Sequence, residues 1–200
     1  LPICTTMQSI FANTNAQVTV HILHDNTLTQ DNRDKFSLTA EQYNQRVKFY
    51  NVDEFCAEEI KQLYLKLPQI ATVRHTIAMF YRFFVGKLIS ADIEKIIYLD
   101  SDIIVNLDLA ELWQIELGEK IFGVIPEIAN YKSSARILEI HPTCRDGIVK
   151  IEDCFNSGVL LMNLNAFRNE RETLSEGTKF IGKNPQYVYL DQDILNYCFS

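Results

Sequence analysis

The chain contains no cluster of lysine and arginine, and its formal charge is −7 over 200 residues. Affinity for nucleic acid rests mainly on cations meeting phosphates, so a nucleic-acid partner is excluded. An anionic small molecule would need local help from a metal or a few placed bases. No apolar run approaches the roughly 18 residues that a membrane helix requires. The five cysteines, Cys4, Cys56, Cys144, Cys154 and Cys198, are odd in number and never spaced as C-x-x-C. This spacing argues against a disulfide scaffold or a zinc site and predicts reduced thiols in a cytoplasmic protein. Glycine and proline are few, 7 and 5, and no low-complexity tract interrupts the chain, so residues 1–200 are expected to fold throughout as a single domain. Leu1-Pro2-Ile3-Cys4 carries neither a basic leader nor a methionine, and the chain is expected to be cut at its start.

What is present is an alternation of helical and strand patterns. Ile3, Met7, Ile10 and Phe11 recur at helical spacing, and Val18 to Leu23 alternates as a strand. Thr29 is placed to cap a polar helix running to about Arg46. A short strand at 47–50 and a helix near 57–65 follow. The alternation predicts an α/β domain with a largely parallel sheet. Ile77, Phe80, Tyr81, Phe84, Val85 and Leu88 mark an amphipathic α-helix. Arg82 within it reads either as a surface arginine laying its stem on apolar neighbours or as a forked donor for an oxyanion. Further strands are expected at 122–126 and 155–164, with Asn165 capping the helix after the second and an irregular segment over about 130–152.

The most informative stretch is Ile96-Ile97-Tyr98-Leu99-Asp100-Ser101-Asp102-Ile103-Ile104-Val105. It reads as a buried strand whose end carries two carboxylates, which on extended backbone would project to the same side and share one divalent metal. A second Asp-x-Asp, at Asp191 and Asp193, reads as the start of a helix that Asp191 caps and whose dipole Asp193 complements, leaving Gln192 unassigned. Asn156, beside Gly158, suits either a turn or a substrate hydroxyl. Asp-x-Asp after a buried strand also occurs in phosphatases of the haloacid dehalogenase type. Their pattern wants Thr or Val where this chain has Ile104.

Four segments in order carry a resemblance: Ala78-Met79-Phe80-Tyr81-Arg82-Phe83, Ile96 to Asp102, Phe155-Asn156-Ser157-Gly158-Val159-Leu160-Leu161-Met162-Asn163, and Leu190-Asp191-Gln192-Asp193-Ile194-Leu195-Asn196. Together they resemble glycosyltransferase family 8, the retaining GT-A transferases that include bacterial lipopolysaccharide galactosyl- and glucosyltransferases. The resemblance implies a GT-A fold, with a Rossmann-like, mostly parallel central sheet flanked by helices. It also implies that the family's first strand, which holds uridine, lies before Leu1, and that a third metal ligand, a His, and a phosphate-binding Lys lie after Ser200. By the same resemblance Asp100, Ser101 and Asp102 form the metal-diphosphate motif, with Asp100 and Asp102 binding Mn²⁺ or Mg²⁺ carried by a UDP-sugar. Arg82 contacts the sugar nucleotide, Asn156 and Asp191 grip hydroxyls of the donor sugar, and Gln192 lies under the anomeric carbon. His75 and Tyr189 match positions near the acceptor, and Glu127 stands where several members carry an Asp that faces it.

The implied activity is metal-dependent transfer of glucose or galactose to a glycan, glycolipid or glycoprotein acceptor, with retention of configuration. The expected cellular setting is cytoplasmic, and the resemblance allows peripheral association at the inner face of the membrane through sequence after Ser200. Glutamine is a poor nucleophile, which favours same-face attack with the leaving phosphate as base over a covalent intermediate. An inactive or donor-binding scaffold is the alternative outside the enzyme class.

Overall fold

In the computed structural model, residues 2–71, 76–127 and 142–200 are described. In chain order the elements begin with α1 (Pro2–Ala12), β1 (Thr19–His24), α2 (Gln30–Gln42), β2 (Arg46–Asn51), α3 (Val52–Phe55) and α4 (Ala57–Lys66). Then come a 3₁₀ helix (Ile77–Phe84) running into α5 (Val85–Leu88), then β3 (Lys95–Leu99), α6 (Leu109–Trp113) and β4 (Phe122–Pro126). The last are α7 (Pro142–Arg145), β5 (Phe155–Asn163), α8 (Leu164–Phe167), α9 (Arg171–Gly182) and α10 (Leu190–Phe199). The chain divides into two compact units, each assembled from two separate stretches: Leu1–Ala57 with Leu99–Glu116, and Glu58–Tyr98 with Leu117–Ser200.

In the first unit β1 and β2 pair in parallel, from Thr19 opposite Arg46 to His24 opposite Asn51. Met7, Ile10 and Phe11 of α1 pack with Ile22, Phe36, Ala40 and Val105 into one core. Thr29 caps α2 as expected, its hydroxyl accepting from the Asn32 amide. The other end of α2 closes through Asn44, which adopts a φ of 53°. The Asn44 amide donates to the Glu41 carbonyl and the Gln45 amide to the Ala40 carbonyl, the paired bonds of a Schellman turn.

In the second unit the strand order is β3-β5-β4, and β4 runs antiparallel to β5. The pairing of β1 with β2 agrees with the mostly parallel sheet expected from the sequence, and the antiparallel β4 is an exception that the alternation of helices and strands does not reveal. Strand β5 is buried along most of its length and contacts α10, and Phe80, Tyr81, Phe84, Leu190, Ile194 and Leu195 are buried in the same unit. Two helix starts also differ from expectation. The segment Ile77–Phe84 is 3₁₀ rather than α, and Asn163, not Asn165, caps α8 by accepting from the Ala166 amide at 3.1 Å. Asparagine at either position is chemically suitable, and the earlier one wins because β5 ends on it.

Helices α4 and α9 approach closely at Gly182. A Cβ added there would stand well inside van der Waals contact of the Lys66 carbonyl oxygen, a backbone atom that cannot swing away. Among the described residues no helix is long and apolar enough to cross a membrane. Replacing Gly182 by Ala is expected to destabilise the protein by about 1–3 kcal/mol through overpacking, read as a lower urea midpoint with an unchanged denaturant slope.

Candidate active site

The two Asp-x-Asp motifs fall in different units, and each is described by itself. The second stretch of the first unit opens at Leu99, where β3 ends. Asp100 follows it half-buried, and Ser101 and Asp102 form an exposed turn. The two carboxylates are therefore not related by the period-two alternation of extended backbone, which corrects the expectation from the sequence. Past the strand end, α1 and Asn13 just after it supply hydrogen-bond partners to the backbone at Ser101 and Val105. The Thr6 hydroxyl donates to the Ser101 carbonyl at 2.9 Å, the Val105 amide donates to the Ser9 hydroxyl at 3.0 Å, and Asn13 Nδ2 donates to the Val105 carbonyl at 3.0 Å. Farther on, the Asp108 carboxylate caps α6 by accepting from the Ala110 amide. The Thr14 hydroxyl, then this amide, hold the Asp108 carboxyl below the usual range.

Among the described residues no group of three His, Cys, Asp or Glu side chains could hold a metal. Asp100 and Asp102 nevertheless offer hard carboxylate oxygens, the donors that Mn²⁺ and Mg²⁺ prefer. An ion that arrives with a diphosphate draws most of its other ligands from phosphate and water, so one or two protein carboxylates suffice. The donor set fits such an ion.

In the second unit Arg82, Asn156, Asp191 and Gln192 gather about a break in the β4–β5 ladder. Val124 pairs with Leu160, but the next residue, Ile125, pairs with Asn156. Ser157, Gly158 and Val159 are therefore bulged out of register, and their backbone groups must bond elsewhere. The Ser157 carbonyl accepts from Arg82 Nη1 at 2.6 Å, the Ser157 amide donates to Gln192 Oε1 at 3.0 Å, and the Gly158 amide donates to Asn156 Oδ1 at 2.9 Å. Three side chains named from the sequence thus bond the backbone at the bulge.

Arg82 is 5% exposed, which excludes the surface-arginine reading. Its Nε lies 3.1 Å from Asp191 Oδ2 and also donates to the Met79 carbonyl, and its guanidinium carbon sits 4.5 Å from the centroid of the Tyr98 ring. Asp191 is correspondingly buried. It does not cap α10, contrary to expectation. The helix starts after Tyr189 with no side-chain cap, and it is Asp193 that reaches back, accepting from the Tyr189 amide at 2.9 Å. The competing demand of the buried guanidinium took Asp191 away from the helix end.

Gln192, unassigned by the helix account, is tied to the bulge. Only the carbonyl half of its amide can accept from the Ser157 N–H, which determines the amide's orientation. One turn later Asn196 pins α10 to β5: it accepts from the Phe155 amide at 2.8 Å and donates to the Phe155 and Gln192 carbonyls at 2.9 Å. Ser157, Asn196, Tyr98 and Met79 were not named as site residues, although all four lie within the segments that carried the resemblance. The four-residue spacing of Gln192 and Asn196 was the available signal. Glu127, at the end of β4, is 2% exposed and donates its amide to the Cys154 carbonyl. A hydrogen bond with Cys144, burial, and the nearby Glu127 and Asp193 carboxylates together push the Cys154 thiol far above its ordinary range. All five cysteines are free. Tyr189 is partly exposed ahead of α10, and His75 lies outside the described residues.

A model of glycosyl transferase family 8 matches residues 1–200. The chain is 27% identical over 192 residues to the lipopolysaccharide 1,3-galactosyltransferase of Salmonella typhimurium, covering 94% of this chain and 52% of that protein. It is 26% identical over 204 residues to the glycosyltransferase GlyF of Streptococcus pneumoniae, covering 100% and 43%. The chain thus spans about half the length of the curated relatives it matches. Its fold is similar to that of an active-site glutamine-to-glutamate mutant of LgtC, with a TM-score of 0.76 and 24% identity over 99% of this chain and 65% of that one. The chain therefore has the α/β GT-A fold.

Replacing Arg82 by Met removes the cation facing the buried Asp191 carboxylate and is expected to cost about 3–5 kcal/mol. Adding Asp191→Leu should recover most of that loss. Urea unfolding of the two variants measures both.

Proposed function

The chain belongs to glycosyl transferase family 8, and from this we propose that it carries the catalytic part of a metal-dependent retaining transferase that moves glucose or galactose from a UDP-sugar. The acceptor is a glycan, glycolipid or glycoprotein. Its lipopolysaccharide glucosyl- and galactosyltransferase relatives support the class of sugar. The observation that carries the reading is the gathering of Arg82, Asn156, Asp191 and Gln192 about one bulge of β5.

Asp100 and Asp102 would hold Mn²⁺ or Mg²⁺ with the donor's diphosphate, and Ser101 lies between them. When bound, such an ion neutralises charge on the departing UDP. The chain's own residues do the rest. Arg82 holds Asp191 in one orientation, so that the carboxylate accepts from hydroxyls of the donor sugar. Asn156 has its Oδ1 committed to Gly158 and turns its Nδ2 donors to the same sugar. The Gln192 carbonyl dipole, held by Ser157, stabilises positive charge at the anomeric carbon.

The acceptor hydroxyl attacks from the face that UDP leaves. The anomeric carbon's bond to the phosphate oxygen breaks as its bond to the acceptor oxygen forms, and the acceptor proton passes to the departing phosphate. No carboxylate adduct is required, since glutamine is a poor nucleophile. Tyr189, His75 and Glu127 are the residues proposed to face the acceptor. The protein is placed in the cytoplasm, at the inner face of the membrane when its acceptor is a lipid. Five free thiols support a reducing compartment.

The test uses the intact protein with Mn²⁺ and UDP-glucose, UDP-galactose or UDP-N-acetylglucosamine, following UDP release and sugar transfer. Asp102→Asn is expected to lower transfer by at least about 100-fold, since changes merely behind a metal ligand already cost about 10–100-fold. Unchanged transfer in this variant, or metal-dependent release of phosphate from monoesters in place of transfer, would overturn the reading.

A further inference from the structure

We propose that Thr6 and Ser9 of α1 are positioning residues for metal-diphosphate binding at Asp100 and Asp102, acting through the backbone of the turn that carries the two carboxylates. The inference rests on the reading of Asp100 and Asp102 given above. It goes beyond that reading by assigning a role to two residues of a helix 95 and 96 positions away in sequence from the groups they bond.

The argument starts from α1 itself. Its apolar face, Met7, Ile10 and Phe11, is enough to seat the helix in the core. Beside that face Thr6, Ser9 and Asn13 fall at i, i+3 and i+7, a single polar stripe. Thr6 is 6% exposed, so its hydroxyl is withdrawn from water and must find a partner. Two carbonyls lie within reach, Pro2 one turn back at 3.4 Å and Ser101 at 2.9 Å, and the shorter bond goes to Ser101, whose peptide group lies between the two carboxylates. The Ser9 hydroxyl is used in both directions. It donates to the Thr6 carbonyl at 2.7 Å and accepts from the Val105 amide. Asn13 holds the carbonyl of the same Val105 and also donates to Ser9.

The turn is thereby clamped at Ser101 and at Val105, and Val105 is itself a core residue. Two carboxylates on an unclamped exposed turn would have to be ordered when the ion binds, at the expense of affinity. Here that ordering is already present. A role confined to helix packing would leave metal affinity alone, because the apolar face of α1 remains intact without the hydroxyls.

The experiment measures Mn²⁺ binding directly, from the loss of the free-ion electron paramagnetic resonance signal, on the intact protein with and without UDP. Thr6→Val keeps the shape of the side chain and removes its donor. The UDP-dependent Mn²⁺ dissociation constant is expected to rise by roughly three- to tenfold, the range of one lost hydrogen bond. Thr6→Ser restores the hydroxyl and should bind within about twofold of the parent, and metal-free UDP affinity should stay level throughout. Should Thr6→Val not fold, Ser9→Ala, a good helix former, decides on the same readout. Parent-like Mn²⁺ binding in both Thr6→Val and Ser9→Ala overturns the proposal, and so does a Thr6→Ser variant as weak as Thr6→Val. If Asp102→Asn abolishes binding while Thr6→Val and Ser9→Ala do not change it, only the positioning role falls. If the parent shows no UDP-dependent Mn²⁺ binding, the metal-diphosphate reading falls and takes the proposal with it.

Discussion

A guanidinium withdrawn from water is the constraint around which the second unit is arranged. Arg82 cannot shed its proton, so burial obliges the surroundings to supply a carboxylate and carbonyl oxygens at hydrogen-bond distance. Asp191, the Ser157 carbonyl and the Met79 carbonyl meet that demand, and the Tyr98 ring covers one face of the cation. Each of these partners comes from a different element, so the 3₁₀ helix, the strands β3 and β5 and the helix α10 are tied to one another by a single side chain. The Ser157 carbonyl accepts from Arg82 where β5 departs from its register with β4.

The first unit solves a similar problem with neutral groups. After Leu99 the chain leaves its sheet, and the backbone between Asp100 and Val105 loses the pairing a strand would provide. Two hydroxyls of α1 and the amide of Asn13 just after it bond the backbone at Ser101 and Val105. In both units the candidate residues stand where regular pairing stops, and side chains bond the backbone there.

Most of the fold was legible from periodicity and capping chemistry. The apolar face of α1, the Thr29 cap and the strands β1, β2, β4 and β5 all lie close to their expected positions, because each depends on its own few residues. The reversal of β4 and the bulge in β5 were not legible, since both are properties of a pair of strands remote in sequence. The same distinction divides the site. Asp100 and Asp102 stood out because two charges interrupt an apolar run, but their turn could not be told from a strand end by pattern alone. Asp191 was read as a helix cap because that role is local, whereas its pairing with Arg82 spans more than 100 residues. Thr6 and Ser9 gave no signal at all: small hydroxyl residues in a helix are ordinary until something is seen to need them.

The bonds of the bulge carry a consequence for measurement. In a regular strand, an amide proton is shielded by the neighbouring backbone and reports on the opening of the sheet. The amides of Ser157 and Gly158 are shielded by Gln192 and Asn156 side chains, which can rotate without the sheet opening. Their exchange with solvent deuterium therefore tracks two rotamers rather than the stability of the fold. A pair of peptide protons in the middle of a buried strand thus serves as a built-in gauge of side-chain position, readable without any substrate.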